Sequence, residues 1–459
     1  MSPRILSIFI VSSVVGLLIS CSSTDRGYRA DSGPIRPRGP ARTESPPPLP
    51  PELEDENGDL SLSRLMGLAL EKSPRLLASR DLRVARRERR AQVTALPDPV
   101  LKLGWYAEEV QTRTGPQSFV IGLNQRIPWP TKLAVAGEIA DIEARMAAVE
   151  SWIAERDVLL ELARRYHELA HLEASIELTR EIEALWNDLV TRSAALPWMA
   201  QSERVRAETR AAQARYDRQV LGELAEIERA AIRSLTALPR ELPLPRARVM
   251  TPPEIRLDLE QLEDLAVKSN QELLLAELSI EKSRARIEAA ELEMFPDFSV
   301  GGRYIATDRR PDGVDPSGNG NDPLFFELGI TLPLQRSAKR ARISERRHES
   351  SARVHARHEL RLSLRRRLAE QNLRARNEVR LVDLHATVLV PQAEHAAREA
   401  EARIAAGDTG LAGLFETIAA RHQVQLTELR AKTDYAKRVT QIEALVGHPL
   451  QSTTKEDSR

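Results

Sequence analysis

A fifteen-residue apolar pattern recurs in this chain. Leu60-Ser-Leu-Ser-Arg-Leu-Met-Gly-Leu-Ala-Leu-Glu-Lys-Ser-Pro74 matches Leu257-Asp-Leu-Glu-Gln-Leu-Glu-Asp-Leu-Ala-Val-Lys-Ser-Asn-Gln271. The pattern downstream of each copy also repeats. Each opens a helix of about 35 residues that stops at a proline followed by an acid, Pro97-Asp98 or Pro296-Asp297. An apolar strand comes next, ending near Trp105-Tyr106 or Tyr304, and then a polar loop. A second strand closes in Ile127-Pro128-Trp129-Pro130 or Leu332-Pro333-Leu334. Two long helices end each copy. A duplicated helix-strand-strand-helix-helix unit predicts a mainly α fold with a small β part, with repeats over 57–245 and 246–448.

The helices carry apolar residues at three- and four-residue intervals. Ile139, Ile142, Met146, Val149 and Ile153 form one stripe, and Leu178, Ile182, Leu185 and Leu189 another. Leu360, Leu364 and Leu368 make a third, and Leu381, Leu384 and Val388 a fourth. Such spacing drives helices into coiled coils. Ala, Glu, Arg and Leu dominate these stretches, and aromatic residues are only 4% of the chain. Thr131 to Thr191 predicts a single helix roughly 90 Å long, far beyond the usual globular length.

The strands alternate over about nine residues. Phe119, Ile121, Leu123 and Ile127 share one face; Ser118, Gly122, Asn124 and Arg126 share the other. Phe298, Val300 and Tyr304 oppose Ser299, Gly301 and Arg303, and Phe326, Leu328, Ile330 and Leu332 are separated by Glu327, Gly329 and Thr331. Strands of this length, tilted, cross a bilayer. They equally suit half-buried hairpins on a soluble domain. The Gly-, Pro- and Asp-rich segment Asp308 to Asp322 reads as an exposed loop.

At the N-terminus, Arg4 precedes an apolar run from Ile5 to Ile19, which reads as a signal-peptide core over residues 1–20. Leu18-Ile19-Ser20-Cys21 resembles a bacterial lipobox, and Cys21 is the only cysteine of the chain. Cleavage would make Cys21 the first mature residue and the site of lipid attachment, with no other cofactor expected. The alternative is a plain secretory signal with a chance cysteine. Ser22, rather than Asp, suggests delivery to the outer membrane. Residues 21–56, with Pro46-Pro47-Pro48-Leu49-Pro50-Pro51, read as a lipidated tether, and 449–459 as a disordered tail. After the signal run no segment has the ~18 consecutive apolar residues of a membrane helix.

Four strands that enter lipid cannot remain an open sheet, because edge N–H and C=O groups would lack partners. Barrels need about eight strands or more, so several chains must contribute. Three chains of four strands make a twelve-stranded barrel, continued through the periplasm by an α-helical one. The order of elements, with Leu65 to Ser73, Gln125-Arg-Ile-Pro-Trp-Pro-Thr-Lys-Leu133, Val390-Pro391-Gln392-Ala393 and Arg403-Ile-Ala-Ala-Gly407, resembles the TolC family of outer-membrane efflux proteins over about residues 60–448. The Ile-Pro-Trp-Pro-x-Lys exit is most similar to members serving heavy-metal pumps.

The resemblance implies a passive channel rather than an enzyme: a homotrimer in outer-membrane lipid, docked at its periplasmic tips to an adaptor coupled to an inner-membrane pump, in efflux or type I secretion. Arg192-Ser-Ala-Ala-Leu196 aligns with Arg403-Ile-Ala-Ala-Gly407 and marks the two tips. Leu196, Pro197, Trp198 and Met199 at the first, and Gly407, Thr409, Gly410 and Leu411 at the second, are the expected adaptor contacts. Leu196 stands where the family usually has glycine, with Pro197 making the break. Asp408 and Glu416 would line the entrance, each becoming an acidic ring under threefold symmetry.

Other motifs compete. His167-Glu168-Leu169-Ala170-His171 fits the H-E-x-x-H pattern of zinc proteases, in which two histidines one turn apart share a metal and the glutamate is general base. It falls within a coiled-coil helix with no third ligand, so a solvated helix face is the better reading and no metal is expected. His355, His358 and Arg365-Arg366-Arg367 also read as solvated surface. Lys plus Arg and Asp plus Glu both number 67, which leaves no net field for nucleic acid. No glycine-rich phosphate loop is present. The reading that competes with a channel is a non-channel periplasmic coiled-coil lipoprotein scaffold.

Overall fold

A computed structural model of the protein describes residues 53–193, 201–250, 258–406 and 411–450. The elements run α1 (Leu62–Lys72), α2 (Pro74–Thr94), β1 (Val100–Thr112), β2 (Gly115–Ile127), α3 (Pro130–Ser193) and α4 (Gln201–Thr236), then α5 (Leu259–Ser269), α6 (Gln271–Leu292), β3 (Asp297–Thr307), β4 (Leu324–Thr331), α7 (Arg336–Leu384), a π turn (His385–Leu389), α8 (Val390–Ala405) and α9 (Leu411–Val446). The two halves repeat the same order, as the sequence predicts.

Local chemistry sets the same boundaries in both copies. Ser61 caps α1 by accepting from the Arg64 N–H, and Asp258 caps α5 through Glu260 N–H. The helix expected to run about 35 residues is broken in each copy after its first three turns. Pro74 pushes Ser73 out of helical geometry, to ψ 121°. At the equivalent place Asn270, ψ 120°, accepts from Leu273 N–H and donates to the Leu445 carbonyl at 2.7 Å. The two α1-type turns bury matching residues, Leu65 and Ala69 against Leu262 and Ala266. The final helices are each 36 residues long and end in a left-handed residue, Ala237 (φ 53°) and Gly447 (φ 83°).

The cores lie between helices. One packs α1, α2, α3 and α4 around Leu65, Leu76, Leu162, Leu169 and Ile232, with Leu242 and Ala247 from the segment after α4 folded over it. Its counterpart packs Leu262, Leu364, Leu368, Tyr435 and Ile442. A third cluster, Ile142, Val149, Leu278 and Ala285, joins α3 to α6. A fourth joins the copies near the far ends of the long helices, through Ile182, Trp186, Ala211, Phe415 and Ile418. Three of the four predicted stripes therefore meet partners. The fourth does not hold: Leu384 and Val388 are exposed, and His385 is buried instead. The π turn inserts one residue, which rotates the next face by about 100° relative to a continuous α-helix.

α3 extends 64 residues without a break, about 96 Å. Alongside it the helices form a row: α2 packs on α3, α3 on α6, and α6 on α7. No helix among the described residues is long and apolar enough to cross a membrane.

Candidate membrane-spanning site

The row of helices feeds a four-stranded antiparallel sheet in the order β1-β2-β3-β4. β1 and β2 are each 13 residues, β3 is 11 and β4 is 8. β1 runs past Tyr106, where its apolar pattern ends, because Val110, Gln111 and Thr112 still pair with Gln117, Pro116 and Gly115 beyond an irregularity after Trp105. Gly115 (φ 125°) makes the tight turn, in a position where a Cβ would strike the Asp308 carbonyl.

The register assigns every side chain to a face. Leu101 pairs with Leu123, Leu103 with Ile121 and Trp105 with Phe119. Ile121 in turn pairs with Tyr304, and Leu123 with Gly302. Tyr304, Gly302, Val300 and Phe298 then meet Leu324, Phe326, Leu328 and Ile330. One face is therefore apolar across all four strands. Nothing among the described residues covers it: Trp105 is 77% exposed, Phe326 76% and Leu328 71%. Isolated exposed apolar side chains are ordinary, but a continuous apolar sheet face is not.

The opposite face is mixed: Lys102, Asn124, Arg303 and Glu327 and the glycines Gly104, Gly122 and Gly301 share it with Val100, Val120, Ile305 and Phe325. Arg303 donates to Glu327 at 2.8 Å, and Asn124 at 3.4 Å. A Cβ on Gly301 would lie 2.9 Å from Glu327 Cγ, so glycine there leaves room for this polar group. Both outer edges, on β1 and β4, are unpaired among the described residues.

A joint ties sheet to helices where β2 exits and β3 begins. Asp297 accepts from Arg126 at 2.7 Å, from Lys132 Nζ at 2.8 Å and from the Trp129 N–H at 3.2 Å. Lys132 also donates to the Phe295 carbonyl. Trp129 stacks between Phe295 and Phe298, at 5.3 and 6.0 Å. The sequence marks both halves of this joint, Pro296-Asp297 and Ile127-Pro128-Trp129-Pro130-Thr131-Lys132, but does not bring them together. The signal was the acid after proline in each copy, placed to meet a cation leaving a neighbouring strand. Beyond the sheet, Thr307 N–H and Tyr304 O–H both donate to Asp322, which closes the Asp308–Asp322 loop onto β3.

Of the residues predicted to act, Cys21, Leu196, Pro197, Trp198, Met199, Gly407, Asp408, Thr409 and Gly410 lie outside the described residues. Leu411 begins α9, and Glu416 is exposed one turn further along it. Flanking them, Trp186 packs edge-on against Phe415 at 5.4 Å, which holds α3 to α9 near this end.

The H-E-x-x-H segment is not the solvated face expected of it. His167 is 7% exposed, in the cleft between α3 and α9. Burial, with Lys437 nearby, lowers its imidazole to a pKa of about 4. Burial and Arg430 lower His171 as well. Burial pushes the Glu168 carboxyl up, but Lys437 and Arg430, the latter at 3.0 Å, outweigh it and hold it below its usual range. The segment faces α9 because Leu169 and Ala170 turn into the first core. Glu168 is thus an ion-pair partner, and no group of three or more His, Cys, Asp or Glu among the described residues could hold a metal. His355 and His358 are exposed as expected, and Arg365, Arg366 and Arg367 pair with Glu263, Glu370 and Glu272.

A one-sided apolar sheet carried on long duplicated helices is the arrangement against which known proteins can be compared. Residues 262–448 match the family model described as outer membrane efflux protein. The chain carries a domain of the outer membrane efflux protein family. Solved structures extend the likeness to the first copy as well. The open-state outer membrane channel MtrE of Neisseria gonorrhoeae superposes with a TM-score of 0.70 at 17% identity, covering 86% of this chain and 91% of its own. The outer membrane protein VceC of Vibrio cholerae gives 0.68 at 16%, covering 85% and 97%. CusC, a protein described through its folding and transmembrane channel formation, gives 0.71 at 13%, covering 86% and 93%. At these identities the likeness is one of fold. No curated protein matches the chain in sequence. The efflux-protein domain occupies the second repeat, and the first repeat has the same fold.

Proposed function

We propose that the chain is the channel subunit of a tripartite efflux assembly, with three copies closing one duct across the outer membrane. The observation that carries this reading is the sheet: apolar and uncovered on one face among the described residues, bearing all of its paired charged groups on the other, and open at both edges. An apolar face of this kind belongs against lipid, and open edges in lipid must be closed by further strands. Three sheets of four strands supply twelve, enough to enclose a lumen lined by Lys102, Asn124, Arg303 and Glu327. A strand of 11–13 residues rises about 36–43 Å, which tilted by about 45° spans the hydrocarbon core. A soluble scaffold would leave the same face in water, and nothing in the structure favours that alternative.

In this reading Cys21 carries a lipid in the outer membrane and 22–56 is its tether. The helices descend into the periplasm. Leu196, Pro197, Trp198, Met199, Gly407, Thr409, Gly410 and Leu411 meet an adaptor protein, and Asp408 and Glu416 ring the entrance. The energy comes from an inner-membrane pump. The Ile127-Pro128-Trp129-Pro130-Thr131-Lys132 exit motivates a heavy-metal cargo.

The test is protease digestion of intact cells. Cleavage within Asp308–Asp322 from outside, together with loss of export on deletion of the gene, is expected. A loop cut only after the outer membrane is broken contradicts the reading. Cargo is read from tolerance of the deletion strain: lower tolerance to metal salts than to organic drugs supports a metal duct, and the reverse removes it.

A further inference from the structure

The two open edges of the sheet each bring one charged side chain to their paired stretch. On β4 it is Glu327, and on β1 as far as Trp105 it is Lys102. The register puts both on the mixed face. Glu327 is half-buried and accepts from Arg303 at 2.8 Å and from Asn124 at 3.4 Å. Lys102 is exposed and makes no ion pair among the described residues. The two acids of β1, Glu108 and Glu109, lie past its irregularity, about 20 Å further along the strand.

The duplication supplies the register at which these edges meet. Pro97-Asp98 corresponds to Pro296-Asp297, and Ile127-Pro128 to Leu332-Pro333, so Lys102 takes the place of Gly301 and Gly122 that of Glu327. The hairpins agree, since Lys102 pairs with Gly122 and Gly301 with Glu327. Where the first copy joins the second, Gly122 pairs with Arg303 and Asn124 with Gly301. The equivalent contact, between the second copy and the first copy of a neighbouring protomer, sets Glu327 opposite Gly104 and Gly329 opposite Lys102. A paired row then climbs four residues per protomer, which over three copies tilts the strands by about 35°, as a closed barrel requires. Lys102 and Glu327 become diagonal neighbours at about 7–8 Å, a span that long side chains bridge. Each faces a glycine, so no side chain stands between them. Gly104 meets nothing in its own protomer, where an added Cβ would have no atom within 4 Å.

We propose that Lys102 of each protomer pairs with Glu327 of the next, so that three such pairs set the register of the seams. The partner is a second copy of this chain, and the inference rests on the trimeric channel proposed above. Glu327 then sits between Arg303 of its own chain and Lys102 of its neighbour. A carboxylate has about four acceptor positions and serves both. A slip of one residue at the seam turns Lys102 toward lipid, and a slip of two away from Glu327 parts the charges. In a wet lumen the pair adds little stability; it acts by disfavouring the other registers.

Full-length protein in outer membranes is treated with a water-soluble carbodiimide, which condenses a lysine amine with a touching carboxylate into an amide and itself takes up the water. Within one protomer β2 and β3 separate Lys102 from Glu327 by about 14 Å, so an amide between them joins two chains. The expected result is covalent dimers and trimers on a denaturing gel, and a peptide in which Lys102 is joined to Glu327. That peptide is lost in Lys102→Arg, which keeps the charge but cannot couple. Register is read separately by oxidation. Gly104→Cys/Glu327→Cys places cysteines directly opposite and is expected to form a disulfide between chains, with none in either single variant. Lys102→Cys/Glu327→Cys places them diagonally, beyond the usual separation of a disulfide, and is expected to form little. Should a cysteine variant not assemble, coupling in the wild type decides alone. Wild-type trimers without the Lys102–Glu327 peptide overturn the proposal, as does equal disulfide yield in the two cysteine pairs. A wild-type protein that never forms trimers overturns the channel reading, and the seam with it.

Discussion

Replacing Leu328 with arginine separates a lipid-facing sheet from a water-facing one. Leu328 is 71% exposed in the single protomer, lies between Phe326 and Ile330 on its strand, and faces Val300 across it. In water, a substitution at so open a position changes stability by no more than about 0.5 kcal/mol. In the middle of a lipid-facing strand, an arginine costs about 2–4 kcal/mol. The three copies of Leu328 sit on separate strands far apart, so their effects add, to about 6–12 kcal/mol on the assembled barrel. Assembly is read as the temperature at which trimers dissociate in mild detergent, and the helices are followed separately by far-ultraviolet circular dichroism. Leu328→Arg is expected to abolish membrane-resident trimers while helix content persists. Glu327→Gln, one residue away on the polar face, removes a half-exposed pair with Arg303 and is expected to shift stability by about 1 kcal/mol or less. A Leu328→Arg protein that assembles and fractionates like wild type would refute the reasoning.

Gly447→Ala is expected to destabilise the second repeat by about 2–4 kcal/mol, because φ is +83° and the new Cβ would lie 2.5 Å from the Ser269 carbonyl oxygen; thermal unfolding reads it. Ala237→Gly, at the equivalent left-handed position of the first repeat, is expected to change stability by less than about 1 kcal/mol, since relief of strain and added chain entropy oppose each other. His167 has a folded pKa of about 4 against 6.5 unfolded, so the unfolded chain binds more protons between those values. The stability due to the neutral ring is present above pH 6.5 and falls as pH drops toward 4, by roughly 3 kcal/mol; denaturant titrations should show this slope flattened in His167→Gln. Asp297→Asn leaves Arg126 and Lys132 without their shared acid and is expected to cost about 1–3 kcal/mol, measured as earlier thermal loss of β structure.

The duplication made the fold legible. Two helix starts capped by Ser61 and Asp258, two Pro-Asp stops, and period-two strands fixed element type and order because each rests on short-range chemistry. Helix continuity was less legible. The breaks at Ser73 and Asn270 and the π turn at His385 each depend on one residue's neighbours in space as well as in sequence. The strand faces could be read from alternation, but that the apolar face of all four strands is one surface came from the register. A helix pattern does not state which partner covers which stripe, so His167 and His171 read as solvent-facing in the sequence; α9 covers this stripe, from some 260 residues away. The Asp297 joint is not legible in the sequence for the same reason, as its partners come from different repeats.

The number of chains in the particle extracted from outer membranes by detergent tests the central claim most directly. Three copies, dissociating together and requiring detergent to stay in solution, are what a sheet with one apolar face and two open edges predicts. A single chain that remains soluble and folded once detergent and lipid are removed would contradict it.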